Sequence, residues 1–334
     1  MNLSAKVYVA GHQGLVGSAL MRLLLAGGYT NLLVRTHQEL DLTNQRAVQD
    51  FFASERPEYV FLAAARVGGI LANSTYPGEF ICQNLLIQTH VIDQAYRTGV
   101  KRLLFLGSSC IYPRHSPQPM KEEYLLTGTL EPTNRPYAVA KISGIEMCWS
   151  YNRQYGTRFI VAMPTNLYGL GDHYDLRDSH VLPALIRKMH EAGVDGADRV
   201  VIWGTGTPRR EFLYSDDAAD ACIFLMNLPN DKLDPIIVDN GLPPILNVGC
   251  GEDLTINELS GLVANVTGFK KKLVFDNSKP DGTPQKLLDI NRLTALGWKA
   301  RTSLRDGLTK TYEDFLKRHA VNIDWRRPPV ASWM

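Results

Sequence analysis

The stretch Lys6-Val7-Tyr8-Val9-Ala10, followed by Gly11-His12-Gln13-Gly14-Leu15-Val16-Gly17, constrains this chain more than any other. The first five residues read as a short strand, and the apolar period from Ser18 to Gly27 reads as a helix. Between them, glycines at every third position let the backbone turn tightly and approach a pyrophosphate, whose charge sits at the helix N-terminus. The spacing is Gly-x-x-Gly-x-x-Gly rather than the commoner Gly-x-Gly-x-x-Gly. A glycine triplet alone is a weak signal; the strand before it and the helix after it make residues 11–17 a candidate dinucleotide-binding turn.

The same alternation continues. Asn31–Val34, Tyr59–Ala65 and residues 102–107 are further buried strands, and an apolar-periodic helix runs from Asn84 through Ala95. Repeated strand–helix alternation predicts an α/β fold: a doubly wound parallel sheet of Rossmann type. Beyond Gly169 the alternation becomes irregular, which predicts a smaller C-terminal α/β substrate lobe. The expected division is 1–168 plus about 212–240 for the nucleotide-binding domain and 169–211 plus about 241–320 for the lobe. The tail 321–334 has no periodicity and suggests no function.

The second strand ends in Arg35-Thr36-His37, where an NAD-preferring protein would place an acid to hold the ribose hydroxyls. A base in place of that acid favours the 2′-phosphate of NADPH; a merely solvated Arg35 is the plain alternative. Asp41 and Leu42 fit a contact near the adenine, and Ala64 leaves room for the cofactor backbone. The loop Arg66–Ile70 is expected to border the nicotinamide.

A second constellation carries chemistry. Leu103–Leu106 reads as a buried strand that delivers Gly107, Ser108, Ser109 and Cys110 at its C-terminal end. Tyr137 and Lys141 are four apart, so a helix there puts them on one face, a single turn apart. A hydroxyl, a phenol and an ammonium beside a nicotinamide make a proton relay for carbonyl reduction, with the cation expected to lower the Tyr137 pKa. Tyr-x-x-x-Lys alone is usually surface; its order after the glycine turn and the strand-end serine is what matters.

At 334 residues the chain can hold one large domain and a smaller lobe. Its net charge of +2 gives no reason to expect nucleic acid. Five cysteines without CxxC spacing argue against a disulfide framework and a metal site. No signal peptide and no run of ~20 apolar residues is seen, so neither secretion nor membrane insertion is expected and a reducing cytoplasm fits.

Six ordered segments sharpen this reading: Gly107-Ser108-Ser109-Cys110-Ile111-Tyr112-Pro113, Glu131-Pro132-Thr133-Asn134, Pro136-Tyr137-Ala138-Val139-Ala140-Lys141, Pro164-Thr165-Asn166-Leu167-Tyr168-Gly169, Ser179-His180-Val181 and Lys279-Pro280-Asp281-Gly282-Thr283-Pro284. Together they resemble the GDP-L-fucose synthase family of the extended short-chain dehydrogenase/reductases. The resemblance implies epimerisation of GDP-4-keto-6-deoxy-D-mannose at C3 and C5, then reduction at C4 by NADPH. It implies Ser108, Tyr137 and Lys141 as the reductive set, Cys110 as base and His180 as opposing acid. It implies that Leu106, Gly107, Pro164, Thr165, Asn166, Leu167 and His180 also border the cofactor, and that Lys188, Trp203, Arg210 and Asp281 hold the nucleotide sugar. A homodimer formed through helices near 84–98 and 137–155 follows by the same analogy.

Read alone, Cys110 is a small buried hydrophobe as readily as a base, His180 a structural helix-start residue, and Trp203 a core residue. Family members often carry Arg where this chain has Gln13 and His37, which weakens the NADPH-over-NADH preference. Ser-Ser-Cys at the strand end lacks the acid pair of sugar-nucleotide 4,6-dehydratases. A UDP-sugar 4-epimerase and a non-catalytic cofactor sensor on the same fold are the competing readings.

Overall fold

The structure, a computed structural model, describes residues 1–237, 241–279 and 281–320. The tail reading falls outside the described residues. The first half runs β1 (Val7–Ala10), α1 (Leu15–Ala26), β2 (Leu32–Leu33), α2 (Gln45–Glu55), β3 (Tyr59–Leu62), α3 (Ile70–Thr75), α4 (Pro77–Arg97), β4 (Arg102–Leu106), α5 (Arg135–Tyr155) and β5 (Phe159–Pro164). The second half adds β6 (Asn166–Tyr168), α6 (Val181–Val194), β7 (Arg199–Trp203), β8 (Arg209–Tyr214), α7 (Ser215–Asn227), α8 (Asn230–Ile237) and β9 (Ile245–Val248). It ends in β10 (Asp253–Thr255), α9 (Ile256–Thr267), β11 (Lys272–Asp276), β12 (Gln285–Lys286), α10 (Asn291–Ala295) and α11 (Leu304–Ala320).

A six-stranded sheet of order β2-β1-β3-β4-β5-β9 forms the centre, and every pairing in it is parallel. Parallel strands buried on both faces need apolar residues at every position, and the two-residue period then assigns each to a layer. Tyr8, Leu103, Phe105, Phe159 and Val161 face the core under α2, α4 and α5. Val7, Val9, Leu104, Ile160 and Ala162 face the core under α1 and α7. The doubly wound expectation holds. Strand order reverses between β1 and β3, where open α/β sheets bind ligands beyond their carboxyl ends.

The lobe has its own core, in which Leu182, Leu185, Ile186 and Met189 of α6 meet Leu259 and Val263 of α9. Its strand β8 pairs with β6, β10 and β12, and β7 pairs with β11. The capping box of Thr255 with Glu258 fixes the start of α9.

Three boundaries differ from expectation. Helix α4 starts at Pro77 rather than Asn84, because Pro77 and Glu79 suit a first helical turn. Residues 245–248 belong to the central sheet and not to the lobe, since β9 pairs with β5 and its side chains are buried. Phe212 and Tyr214 of β8 pack in the lobe core while Leu213 between them packs in the core under α1 and α7, so the return to the cofactor domain begins within β8 and is complete only at α7. No described helix is long and apolar enough to cross a membrane.

Candidate active site

One cleft of about 740 Å³ opens along the carboxyl ends of the central strands and continues against the lobe. At its dinucleotide end, Gly11 has φ +83°, and a Cβ there would come within 2.8 Å of the Ala64 nitrogen. A Cβ on Gly17 would come within 2.0 Å of the Gly11 carbonyl oxygen. Both glycines are therefore needed for the turn from β1 to α1 to close. Gly14 starts α1 without a side-chain cap, and the first turn holds no acid. That leaves backbone N–H groups and the positive dipole end open toward the cleft, which suits a pyrophosphate. His12, Gln13, Leu15 and Val16 line the same wall, and the buried Nδ1 of His12 has no hydrogen-bond partner. Gly17→Ala should cost about 1–3 kcal/mol of stability and weaken dinucleotide binding about 10-fold, read by thermal melting and by fluorescence titration with NADPH.

Arg35, His37, Asp41 and Leu42 also line this end. Arg35 is not a bare cation: its Nη2 lies 2.7 Å from Glu55 Oε1, and its guanidinium lies over the Phe51 ring. His37 Nδ1 lies 3.8 Å from Asp41, whose Oδ1 accepts from the Thr43 amide and hydroxyl. Arg35, the base expected to meet a 2′-phosphate, is thus already beside a carboxylate.

At the centre of the cleft, β4 delivers Leu106, Gly107 and Ser108, and a tight helical turn carries Cys110. The Ser108 hydroxyl faces both the Tyr137 phenol and the Cys110 thiol, and accepts from the Cys110 amide at 3.5 Å. Helix α5 places Tyr137 and Lys141 one turn apart, as expected. Lys141 Nζ donates to the Leu106 carbonyl at 2.7 Å and sits 5.8 Å from the Tyr137 ring centre.

The electrostatics differ from expectation. Burial raises the Tyr137 phenol well above its ordinary value, Cys110 adds to the rise, and the Ser108 hydroxyl pulls it partly back. Burial also pushes Lys141 down, from the ordinary 10.5 to about 8. The expected lowering of the Tyr137 pKa is absent because a desolvated phenol loses more by ionising than an ammonium bound to a carbonyl returns. A phenol that stays protonated is a proton donor, which suits reduction of a ketone rather than oxidation of an alcohol.

His180 caps the start of α6 without making a side-chain cap bond, and its ring opens into the cleft. Burial, then the charge of Lys286, holds its imidazole below the ordinary value, so it is neutral at pH 7. Burial raises the Cys110 thiol, while Lys286, the Ser108 hydroxyl and Lys141 pull it back down. The pair therefore rests as thiol and neutral imidazole. The base and acid roles expected of them require the opposite states, thiolate and imidazolium.

Lys286 escaped the sequence reading. It sits on the two-residue strand β12, paired with Arg210 across β8, and lines the cleft facing both Cys110 and His180. A strand so short has no readable period. Glu131, named in the sequence only within the segment Glu131–Asn134 and given no role there, is buried and lines the cleft, 3.2 Å from Arg114 Nε.

The residues expected at the sugar nucleotide stand at the lobe end. Trp203 is 55% exposed, with the Lys188 and Lys279 ammoniums 5.6 and 5.5 Å from its ring centre. Arg210 Nη1 donates to its neighbour's carbonyl and the side chain lines the cleft, whereas Arg209 is bound to Asp253. Asp281 accepts from the Thr205 amide at 2.7 Å and hydroxyl at 2.9 Å, so its first task is to hold that loop. Pro164, Thr165, Asn166 and Leu167 complete the wall beneath, Asn166 donating to the Glu211 carbonyl.

The sequence profile of the NAD dependent epimerase/dehydratase family matches residues 7–249. The chain is 57% identical over 314 residues to GDP-L-fucose synthase 1 of Arabidopsis thaliana, covering 94% of each chain. It is 54% identical to GDP-L-fucose synthase of Escherichia coli, covering 93% of this chain and 97% of that one. Among solved structures it is similar to a GDP-mannoheptose C4 reductase from Campylobacter jejuni with NADP bound, at TM-score 0.85 and 41% identity, covering 95% and 99% of the two chains. A glycine turn at the β1/β3 switch point, a Ser/Tyr/Lys set and these likenesses agree: the chain belongs to the NAD dependent epimerase/dehydratase family and, within it, to the GDP-L-fucose synthases.

Proposed function

We propose that this protein converts GDP-4-keto-6-deoxy-D-mannose to GDP-L-fucose, inverting C3 and C5 and then reducing C4. The observation that carries this reading is that Ser108, Tyr137 and Lys141 share one cleft with Cys110 and His180. A C4 ketone makes the neighbouring C–H bonds acidic, because the carbanion is an enolate with its charge on O4. The Ser108 and Tyr137 hydroxyls hold O4 while that charge develops. Cys110 takes the proton from one face and His180 returns one to the other. NADPH, when bound, supplies the hydride to C4. Tyr137 then gives its proton to O4, and the Lys141 ammonium offsets the charge left behind.

The absence of an acid after β2 and the NADP-bound C4 reductase both support NADPH. Lys188 and Arg210 suit a diphosphate, Trp203 offers a stacking face, and Asp281 borders the sugar end. A homodimer paired through α4 and α5 fits the part-exposed Leu86 and Val139 on those helices. Five free thiols fit a cytoplasmic setting.

Incubation with GDP-4-keto-6-deoxy-D-mannose should consume NADPH in equimolar amount and yield an L-sugar nucleotide by NMR. A product reduced at C4 but not inverted would make the protein a C4 reductase instead. Burial disfavours the charge on Lys286, yet its ammonium is what pulls the Cys110 thiol down, so in Lys286→Gln the thiol rises further. Exchange of the C3 and C5 hydrogens should slow about 10-fold near neutral pH and recover as pH rises. An unchanged pH profile of that exchange would remove Lys286 from the account.

A further inference from the structure

The segment that carries His180 is gripped from across the cleft. The amide of Gly69, in the loop after β3, donates to the Asp178 carbonyl at 2.8 Å, two residues before His180. The fit there is close: a Cβ on Gly69 would lie 2.9 Å from the Asp178 oxygen and 3.1 Å from the Ser179 oxygen. Gly69 has φ −66°, open to any residue. Space, not backbone conformation, therefore demands a glycine.

Both sides of this contact are held in place. Asn73 Nδ2 donates to the Gly68 carbonyl at 2.7 Å and the Gly69 carbonyl at 3.0 Å. The buried Asn84 exchanges hydrogen bonds with the Arg66 backbone at the start of the same loop. On the lobe side, the Ser179 amide donates to the Asp175 carbonyl at 2.8 Å, and His173 Nε2 lies 2.6 Å from Asp178 Oδ1. The His180 side chain makes no cap bond to its own helix. The His180 carbonyl accepts from the Ala184 amide at 3.1 Å, so the first turn of α6 and the segment before it set its position together.

We infer that Gly69, with Asn73 behind it, is a positioning residue that registers His180 of the lobe against the reacting sugar carbons. The inference rests on the proposed role of His180 as acid. Proton delivery to one chosen face depends on placement within a fraction of an ångström, and a displacement near 1 Å can cost about 100-fold. A methyl group at residue 69 pushes against two carbonyl oxygens of the segment that leads into His180. Cys110, after the neighbouring strand β4, is not among the atoms nearest that methyl group.

The test compares wild type, Gly69→Ala, His180→Gln and the double variant in D₂O with GDP-4-keto-6-deoxy-D-mannose and NADPH. Gly69→Ala should keep deuterium entry at C3 and C5 within about 3-fold while inversion falls at least about 30-fold. The double variant should be no worse than His180→Gln alone, because both changes remove the same placement. Additive losses, or inversion within about 3-fold of wild type, would overturn the inference. Should Gly69→Ala show no cooperative melt, Asn73→Ala decides: selective loss of inversion supports the inference and unchanged inversion overturns it. A wild-type enzyme that neither exchanges nor inverts would instead overturn the proposed activity itself.

Discussion

Tyr137→Phe should reduce C4 reduction by about 10³-fold or more while deuterium still enters C3 and C5 from solvent. The phenol is the group placed to give O4 its proton, and burial keeps that proton in place across the neutral range. Removing it leaves the alkoxide formed by hydride arrival with only the Ser108 hydroxyl. The enolate is less demanding, since its charge is shared between carbon and oxygen and Ser108 still donates. Exchange should therefore slow by about 10-fold at most, well short of the loss in reduction. The ring packs edge-on against Phe80 and loses one oxygen in the substitution, so melting should change little. NADPH consumption and NMR of the recovered sugar measure the two steps separately. Reduction within about 10-fold of wild type would take Tyr137 out of the proton-donor role.

The complementary expectation concerns Cys110. Cys110→Ala should lower deuterium entry at C3 and C5 by at least about 10³-fold, with NADPH affinity unchanged. The thiol is buried in the turn after β4, and Lys286 and Lys141 are the charges that favour its thiolate. No other thiol lines this cleft among the described residues. Cys110→Ser keeps the shape but raises the basicity barrier, because an alcohol loses its proton far less readily than a thiol. It should behave like the alanine variant, which separates chemistry from packing. Exchange at the wild-type rate in Cys110→Ala would move the base to His180 or Lys286.

These expectations draw on features of unequal legibility. The glycine turn, the strand-end Ser108 and Cys110, and the Tyr137/Lys141 pair were legible because each is local. Spacing of three or four residues on a strand–turn–helix fixes them before any tertiary contact forms. Lys286 was not legible, because it reaches the site through a two-residue strand whose partner lies far back in the chain. The Gly69 anchor was missed for the same reason: its meaning is a contact with the Asp178 and Ser179 carbonyls, and the loop sequence records only a small residue. The engagement of Arg35 by Glu55, at the end of α2, is a tertiary contact that a strand-end motif does not report. The start of α4 is hard to read because it opens with Pro77, Gly78 and Glu79 before its apolar period begins, and β9 because it is four residues long with Asn247 inside it.

A single gripped ketone oxygen links inversion to reduction, and isotope placement in one product tests that link. The wild-type protein, incubated in D₂O with GDP-4-keto-6-deoxy-D-mannose and protiated NADPH, should yield GDP-L-fucose with deuterium at C3 and C5 and protium at C4. A reduced product that retains protium at C3 and C5 would contradict it, because hydride would then have reached C4 without either neighbouring carbon having surrendered its hydrogen.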